Sequence, residues 1–323
     1  MENSQFLSRC SADTIRLAAQ SLSDGNLVAF PTETVYGLGA DATNADAVAR
    51  IYKVKGRPAD HPLIVHVHSM QAIEPWVSEV PAYAISLARD FWPGPMTLIM
   101  KRSGLAKDFV TGGQDSVGVR VPNHPVALSL LEVFHKLGGK GVAAPSANRF
   151  GQVSPTTSEA VRSELNQFFE SSDLVLDGGQ SIIGLESTII DCRQAAPQVL
   201  RPGAITIEMI QSSTGLQITD GDESTKLRVS GNLEKHYSPK AKVILDEVPV
   251  SGQGYLALSI FETPIGVIRL ASPENNEQFA RDLYLCLRKA DEIGLSSLVI
   301  EQPRGGGIAI AIRDRAARAS TAR

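Results

Sequence analysis

An apolar strand gives way to polar side chains at Phe30-Pro31-Thr32-Glu33-Thr34-Val35-Tyr36-Gly37-Leu38-Gly39-Ala40-Asp41. The preceding run Leu27-Val28-Ala29-Phe30 is typical of a short buried strand, and Pro31 ends its hydrogen-bonding ladder. Gly37 and Gly39 permit a tight backbone before the next helix. Open α/β sheets bind ligands beyond the carboxyl ends of their strands, so the segment predicts either a ligand site or an ordinary strand-to-helix turn. The candidate contact residues are Thr32, Glu33, Thr34 and Tyr36.

Helix-like and strand-like runs alternate on both sides of this segment, which is typical of the α/β class. Helical patterns cover residues 13–23 and 44–54, and a strand-like run follows at 63–67. Beyond about residue 210 the chain becomes polar and rich in Ser, Thr, Gly and Asp, as in a linker. A second, smaller α/β pattern begins after Pro239. We therefore predict two α/β domains of unequal size.

The composition excludes several classes of protein. With 31 Lys and Arg against 35 Asp and Glu, the net charge of −4 gives no general attraction to nucleic acid or to an anionic membrane. Three widely separated cysteines fit neither a disulfide framework nor paired zinc ligands. The sequence has no long apolar span, and its first residues lack the pattern of a secretory signal, so we expect a cytoplasmic protein without a membrane segment.

A basic loop is predicted in Lys53-Val54-Lys55-Gly56-Arg57-Pro58-Ala59-Asp60-His61-Pro62-Leu63. Arg57 offers a planar fork to phosphate or carboxylate, and Lys55 offers a compact point charge. This arrangement indicates an anion-binding loop, and the alternative is a solvated basic loop.

Two polar side chains fall inside apolar strand-like runs. His66 lies in Leu63-Ile64-Val65-His66-Val67, where the imidazole is either a hydrogen-bonded core residue or a ligand contact. Arg120 shares one face of its predicted strand with Ser116 and Gly118. Because an unpaired buried charge is costly, Arg120 must meet either a carboxylate of the protein or an anionic ligand.

Further hydroxyl and cationic side chains lie in residues 141–157, 184–191 and 200–203. Within the first range, Ser154-Pro155-Thr156-Thr157 resembles a helix start, which is either a phosphate site or only a cap. In the linker, His236-Tyr237-Ser238-Pro239 is either a ligand contact or a hydrophobic anchor. The chain lacks the P-loop pattern and any His/Glu cluster with metal-ligand spacing, so a nucleotide site here would be of another type.

Five motifs, taken in order, resemble those of the YrdC-type family: Pro31-Thr32-Glu33-Thr34-Val35-Tyr36-Gly37-Leu38, Lys55-Gly56-Arg57-Pro58, Pro145-Ser146-Ala147-Asn148, Glu186-Ser187-Thr188 and Leu200-Arg201-Pro202-Gly203. His236-Tyr237 and the tail at residues 306–315 resemble the long, two-domain form of that family. The resemblance implies a YrdC-like twisted open α/β sheet domain at 1–210. It also implies an interdomain linker and active-site lid at 211–240, and a smaller Rossmann-like α/β domain at 241–323.

The resemblance also implies an activity. The family condenses L-threonine, bicarbonate or CO2, and ATP into threonylcarbamoyl-adenylate and pyrophosphate, and the adenylate feeds a tRNA threonylcarbamoyl transferase machinery. By this resemblance Lys55 and Arg57 are catalytic. The threonine-binding residues it implies are Thr34, His66, Arg120, Ala144 and Ser187. The ATP-binding residues it implies are Arg57, His61, Ser116, Ser146, Ser154, Arg201 and Tyr237. Mg²⁺ is expected through the ATP phosphates rather than on protein ligands.

Two other functions remain open at this stage. One is an RNA-binding module without catalysis, which the acidic balance and the lack of interleaved aromatic and basic residues disfavour. The other is a carbamoyl-adenylate domain of the hydrogenase-maturation type. The zinc-finger cysteines and acylphosphatase segment expected around such a domain are absent from the sequence.

Overall fold

Two β-sheets organise the part of the chain that the computed structural model describes, residues 9–218, 227–229 and 237–321. The helices of these ranges are α1 (Ala12–Ser23), α2 (Ala45–Lys55), α3 (Ala82–Phe91), α4 (Asp108–Thr111), α5 (Pro125–Lys136), α6 (Ser158–Leu165), α7 (Ile207–Thr214), α8 (Asn276–Glu292) and α9 (Ile308–Ser320). Their strands are β1 (Val28–Phe30), β2 (Gly37–Asp41), β3 (Ile64–His66), β4 (Met96–Lys101), β5 (Ser116–Arg120), β6 (Val142–Ala143), β7 (Leu174–Val175), β8 (Thr188–Asp191), β9 (Gln198–Arg201), β10 (Lys242–Leu245), β11 (Gly254–Leu256), β12 (Ile268–Ala271) and β13 (Ser297–Ile300). Short 3₁₀ turns lie at Gln71–Ile73 and Asn166–Phe168. The predicted α/β class is confirmed.

The segment after Phe30 leads into strand β2, which was not predicted from the sequence, and the predicted helix follows as α2 from Ala45. Strand β2 pairs antiparallel with β1, with Phe30 opposite Gly37 and Val28 opposite Gly39. The glycines are needed for close packing rather than for a turn. A Cβ on Gly39 would lie 2.8 Å from both Phe30 Cε1 and Val142 Cγ1. The polar residues between the strands therefore form a connection that remains over the sheet.

In the described part of the chain, nine strands form the larger sheet in the order β7-β1-β2-β6-β3-β5-β4-β8-β9. The pairs β1–β7, β3–β5 and β4–β8 are parallel, and the other neighbours are antiparallel. Helices α1 and α5 share an apolar cluster with Val28, Phe30 and Val142, and α2 and α3 share another with Ala29 and Val65. Neighbouring residues of β1 thus point to opposite sides, and both faces of the sheet are covered.

The smaller sheet is parallel, with the strand order β10-β13-β11-β12 among the described residues. Helices α8 and α9 bury Phe279, Leu283 and Ile312 against it. The same apolar cluster includes Val35 and Leu185 of the first domain. The two domains therefore share a hydrophobic core at their interface.

The connection between the domains is described in part. Helix α7 crosses residue 210, so residues 211–214, which we expected to be linker, are helical. Residues 219–226 and 230–236, including His236 of the predicted lid, lie outside the described residues. The bounds 1–210, 211–240 and 241–323 stay a prediction. Within the described ranges no helix combines the length and the hydropathy needed to cross a membrane.

We expect Gly39→Ala to lower the free energy of unfolding by about 1–3 kcal/mol, as over-packing of a tight core typically does. The physical reason is the contact of the new methyl group with Phe30 and Val142. Denaturant titration measures the change. The matched control is Gly104→Ala, where a new Cβ would meet nothing within 4 Å. Equal, small changes in both variants would contradict the packing argument.

Candidate active site

A cavity lies over the centre of the larger sheet, where the connection between β1 and β2 meets the second domain. The space between its walls is about 560 Å³ and is partly open to solvent. Many of its side chains are polar or charged although they are buried. Its lining comprises Thr32, Thr34, Val35, Tyr36, Gly37, Arg57, Ile64, His66, Arg120, Ala144, Pro145, Ser146, Glu186, Ser187, Arg201 and Tyr237. All five residues predicted to bind threonine therefore line one cavity.

Arg120 is both paired within the protein and exposed to the cavity. Its Nη2 lies 2.7 Å from Oε1 of Glu33, and its Nε donates a hydrogen bond of 3.3 Å to the carbonyl of Gly94. Both side chains of the ion pair are almost completely buried. The protein carboxylate, one of the two alternatives left open by the sequence, is therefore present, and the paired guanidinium also lines the cavity.

The polar turn after β1 is organised by Thr32. Its Oγ1 donates to the carbonyl of Val35 at 2.6 Å and accepts from the backbone N–H groups of Thr34 and Val35, each at 3.2 Å. The hydroxyl of Thr34 lies 2.8 Å from the same oxygen. These local bonds replace strand pairing and fix the hydroxyl of Thr34 at the cavity wall.

His66 lies on β3 beside Arg120 of β5, since the two residues are partners in the parallel pairing. Its ring is buried, and Nδ1 lies 3.2 Å from the carbonyl of Ile64. Burial and the charge of Arg120 lower the pKa of His66 to about 3. The imidazole is therefore neutral at neutral pH and adds no charge to the cavity.

Two further guanidinium groups enter the cavity from different segments. Arg57 follows α2, donates from Nη2 to the carbonyl of Pro62 at 3.1 Å, and lies over the ring of Phe150. Burial lowers the pKa of Arg57 to about 10, so it keeps its proton at neutral pH. Arg201, at the end of β9, donates from Nε and Nη2 to the carbonyl of Ser187 at 3.0 and 2.8 Å. The cavity thus contains a second cationic region.

The structure does not place Lys55 among the lining residues. Lys55 is the last residue of α2, and Gly56 ends the helix with a left-handed backbone at φ 62°. The Lys55 side chain is 2% exposed, and its Nζ donates to the carbonyls of Ser146, at 2.6 Å, and Asn148. Burial and the nearby Arg57 lower its pKa well below the usual value. Lys55 therefore supports the loop that carries Ser146.

Three of the residues predicted to bind ATP also lie outside the lining. Ser116 lines a neighbouring cavity that shares Ile64 with this one. The ring of His61 packs edge-on against Phe150 at 5.4 Å. Ser154 is fully buried and donates to Oε1 of Glu186 at 2.6 Å. These side chains surround the cavity without forming its wall.

Tyr237 closes the cavity on the side of the second domain. It is fully buried and stacks on Tyr284 at 5.3 Å between ring centroids. Its backbone φ of 60° is rare for a residue other than glycine and persists only where the surroundings enforce it. The backbone N–H of the next residue, Ser238, donates to the carbonyl of Gly151 at 2.9 Å. The described end of the linker therefore covers the site.

Glu186 received no role in the sequence analysis, although it lines the cavity. Its Oε2 accepts from the hydroxyl of Tyr284 at 2.8 Å and from Nε of Arg315 at 2.9 Å. Burial would raise the pKa of this carboxyl, but Arg315, Arg201 and the bond from Ser154 lower it to about 2. One sequence signal could have pointed to this buried carboxylate. Arg315 falls on the apolar face of α9 with Ala311 and Ile312, where a buried arginine needs an anionic partner.

Comparison with known proteins decides the family. A family described as "Telomere recombination" matches residues 20–203, and one described as "Threonylcarbamoyl-AMP synthase, C-terminal domain" matches residues 205–321. The threonylcarbamoyl-AMP synthase of Pyrococcus abyssi is 38% identical over 325 residues, which cover 95% of this chain and 94% of that protein. The chain belongs to the threonylcarbamoyl-AMP synthase family.

A solved structure agrees with this assignment over both domains. The crystal structure of P. abyssi Sua5 in complex with L-threonine superposes with a TM-score of 0.85 and 36% identity, covering 97% of this chain and 95% of that one. Other members of the threonylcarbamoyl-AMP synthase family are shorter. The Vibrio vulnificus enzyme is 37% identical over 153 residues, which are 80% of its length but 47% of this chain.

The buried neutral state of His66 predicts a pH dependence of stability. Between pH 6.5 and about 3 the unfolded chain binds a proton at His66 that the folded chain does not. The free energy of unfolding therefore falls as pH falls, by about 1.4 kcal/mol per pH unit for this group. From pH 7 to pH 5, we expect His66→Gln to lose about 2 kcal/mol less than the unsubstituted protein. Denaturant titrations at both pH values test this, and an equal loss in the two proteins would contradict a buried, neutral His66.

Proposed function

We propose that this cavity binds L-threonine beside Arg120 and the triphosphate of ATP beside Arg57 and Arg201. The chain is a threonylcarbamoyl-AMP synthase, a nucleotidyltransferase that condenses L-threonine, bicarbonate or CO2, and ATP into threonylcarbamoyl-AMP and pyrophosphate for tRNA modification. One observation carries the assignment of sites. A single cavity contains one arginine fixed by a carboxylate and two more that reach it from other segments.

The threonine site is supported by the chemistry of the side chains around Arg120. The guanidinium suits the carboxylate of an amino acid, and the hydroxyls of Thr34 and Ser187 suit its polar groups. Ser187 is itself fixed, since its Oγ lies 2.8 Å from the hydroxyl of Thr97. Ala144 and the neutral ring of His66 supply the less polar wall.

The ATP site is supported by Arg57 and Arg201, with the hydroxyl of Ser146 and the ring of Tyr237 on the same cavity. In this proposal Lys55 acts through the loop of Ser146, and Ser154 acts through Glu186. His61 acts through Phe150 beside Arg57, and Ser116 from the adjacent cavity. These four residues are therefore positioning residues in our proposal.

The proposed reaction needs positioning and charge neutralisation more than covalent chemistry by the protein. The amine of threonine adds to CO2 and releases a proton, which gives a carbamate. A carbamate oxygen then attacks the α-phosphorus of ATP, and the bond to the pyrophosphate oxygen breaks. Arg57 and Arg201 stabilise the charge that gathers on the leaving phosphates, and Arg120 holds the threonine carboxylate in line.

Magnesium enters this proposal with the substrate. Mg²⁺ is bound by few carboxylates and by phosphates in nucleotide sites, where it neutralises phosphate charge. Within the described ranges, no group of three or more His, Cys, Asp or Glu residues is arranged to hold a metal ion. Moreover, Glu33 and Glu186 already pair with Arg120 and Arg315. The ATP phosphates would therefore carry the ion.

The partial cover of the cavity has a purpose in this chemistry. The carbamate and the mixed anhydride are both labile in water, and a site covered by Tyr237 limits their hydrolysis. We therefore propose that the linker is a lid, and that the tRNA threonylcarbamoyl transferase machinery, in the cytoplasm, receives the product.

The cationic groups of the site lie in the cavity rather than on an exposed basic surface, which favours catalysis over an RNA-binding module.

We expect pyrophosphate release from ATP and Mg²⁺ to require both threonine and bicarbonate. Arg57→Ala should lower the rate about 100-fold or more, because it removes a charge that stabilises the leaving phosphates. The control is Arg16→Ala on the exposed side of α1. A coupled pyrophosphate assay measures all rates. Release that does not depend on threonine would overturn the proposed function.

The threonine site is tested by a variant that removes its buried charge pair without leaving an unpaired carboxylate. We expect Glu33→Gln/Arg120→Met to raise the KM for threonine about 30-fold or more, since a desolvated charge contact is lost. The dissociation constant for ATP, measured by calorimetry, should change about threefold or less. Glu33→Gln alone keeps the guanidinium but removes the carboxylate that holds it, so it should raise the KM for threonine less than the double variant does. Equal losses for threonine and ATP would contradict a specific role of Arg120.

A further inference from the structure

The carboxylate of Glu186 is held by side chains from the other domain. Tyr284 of α8 donates to Oε2 at 2.8 Å, and Arg315 of α9 donates to the same oxygen at 2.9 Å. Ser154 of the first domain donates to the other oxygen, Oε1, at 2.6 Å. Glu186 is therefore a wall residue of the cavity whose charge is compensated across the domain interface.

Arg315 also contacts the segment that carries Arg201. Its Nη2 donates to the carbonyl of Pro202 at 2.9 Å, and its side chain is fully buried. Glu186 directly precedes Ser187, and Pro202 directly follows Arg201. The guanidinium of Arg201 donates hydrogen bonds to the carbonyl and the hydroxyl of Ser187. One guanidinium from the second domain thus joins both segments of the first domain that form the cationic side of the cavity.

The contact between Arg315 and Glu186 affects Arg201 because all three groups are charged. Glu186 is ionised in the folded protein, and Arg315 and Arg201 are the cations that stabilise its charge. If Arg315 were neutral, the carboxylate would act mainly on Arg201. The attraction of Arg201 for the phosphates of ATP would fall, because a neighbouring negative charge would offset it.

Resting on the function proposed above, we propose that Arg315 and Tyr284 are positioning residues for ATP, which act by holding Glu186 so that Arg201 keeps its attraction for the triphosphate and its direction toward it. The second domain thereby completes the nucleotide site of this chain. The short relative from V. vulnificus indicates that members of the family differ in this respect, since it is matched over most of its length by only 153 residues.

The test compares four variants in the full-length chain: Arg315→Met, Arg315→Lys, Tyr284→Phe and Glu186→Gln/Arg315→Met. The dissociation constant for ATP with Mg²⁺ is measured by calorimetry, and the KM values for ATP and threonine by pyrophosphate release. Thermal unfolding midpoints are recorded beside them. The matched control is Arg288→Met, which removes another ion pair between α8 and the first domain, to Glu164 at 2.7 Å.

We expect Arg315→Met to weaken ATP binding about tenfold or more, which corresponds to about 1.4 kcal/mol, with the KM for threonine changed about threefold or less. Arg315→Lys should recover part of the ATP affinity. The double variant should bind ATP more tightly than Arg315→Met does, because it no longer contains the uncompensated carboxylate of Glu186. Tyr284→Phe keeps the ring on Tyr237 and should weaken ATP binding about threefold. Arg288→Met should leave both affinities unchanged.

Three results would overturn the proposal. The first is ATP affinity within about twofold of the unsubstituted protein in folded Arg315→Met. The second is an equal loss of ATP and threonine affinity that Arg288→Met shares, which would indicate loss of domain docking. If both Arg315 single variants fail to fold, the third is unchanged ATP affinity in Tyr284→Phe. Failure of the proposed function is distinct, because the unsubstituted protein would then bind ATP without releasing pyrophosphate in response to threonine and bicarbonate.

Discussion

Charges buried around the cavity must be compensated inside the protein, and the geometry of the site follows from how this is done. Taking a carboxylate or a guanidinium out of water costs several kcal/mol, so each such group needs a partner in a fixed position. Glu33 compensates Arg120, and Arg315 compensates Glu186. Each pair has one member on the cavity wall. The partners that make burial tolerable are therefore also the groups that hold the binding side chains in place.

Buried polar groups of the backbone around the site also need partners, and side chains supply them with hydrogen bonds. Between β1 and β2 the chain leaves the sheet, and its polar groups are satisfied by the side chain of Thr32 instead of a neighbouring strand. At the end of α2, Nζ of Lys55 donates hydrogen bonds to the carbonyls of Ser146 and Asn148. An irregular backbone can remain buried only when its hydrogen bonds are met in this way. Residues that look catalytic by type can thus be supports for the residues that touch the ligand.

Local sequence patterns were sufficient to predict the features that depend on neighbouring residues in the chain. Arg120 and His66 stood out because a charge or an imidazole interrupts an apolar strand, and the structure places both on the cavity. The strand β2 was not predicted, since its glycines signal a turn by local rules and are explained only by the rings and methyl groups of distant residues. Glu186 and Arg315 are separated by 129 positions, so the local pattern marks Arg315 on the apolar face of α9 but does not identify its partner. Fold class was therefore accessible, whereas the supports of the site needed the tertiary structure.

The hydrophobic interface explains why the second domain can act on the site at all. Val35 and Leu185 belong to the apolar cluster of α8 and α9, and they are the immediate neighbours of Thr34 and Glu186 on the cavity wall. Burying one such side chain contributes about 1.5–3 kcal/mol, which is enough to keep the two walls attached to the helices. The polar contacts of Tyr284 and Arg315 then lie at fixed distances from the cavity. Apolar docking supplies the rigidity, and the buried charges set which direction each binding group points.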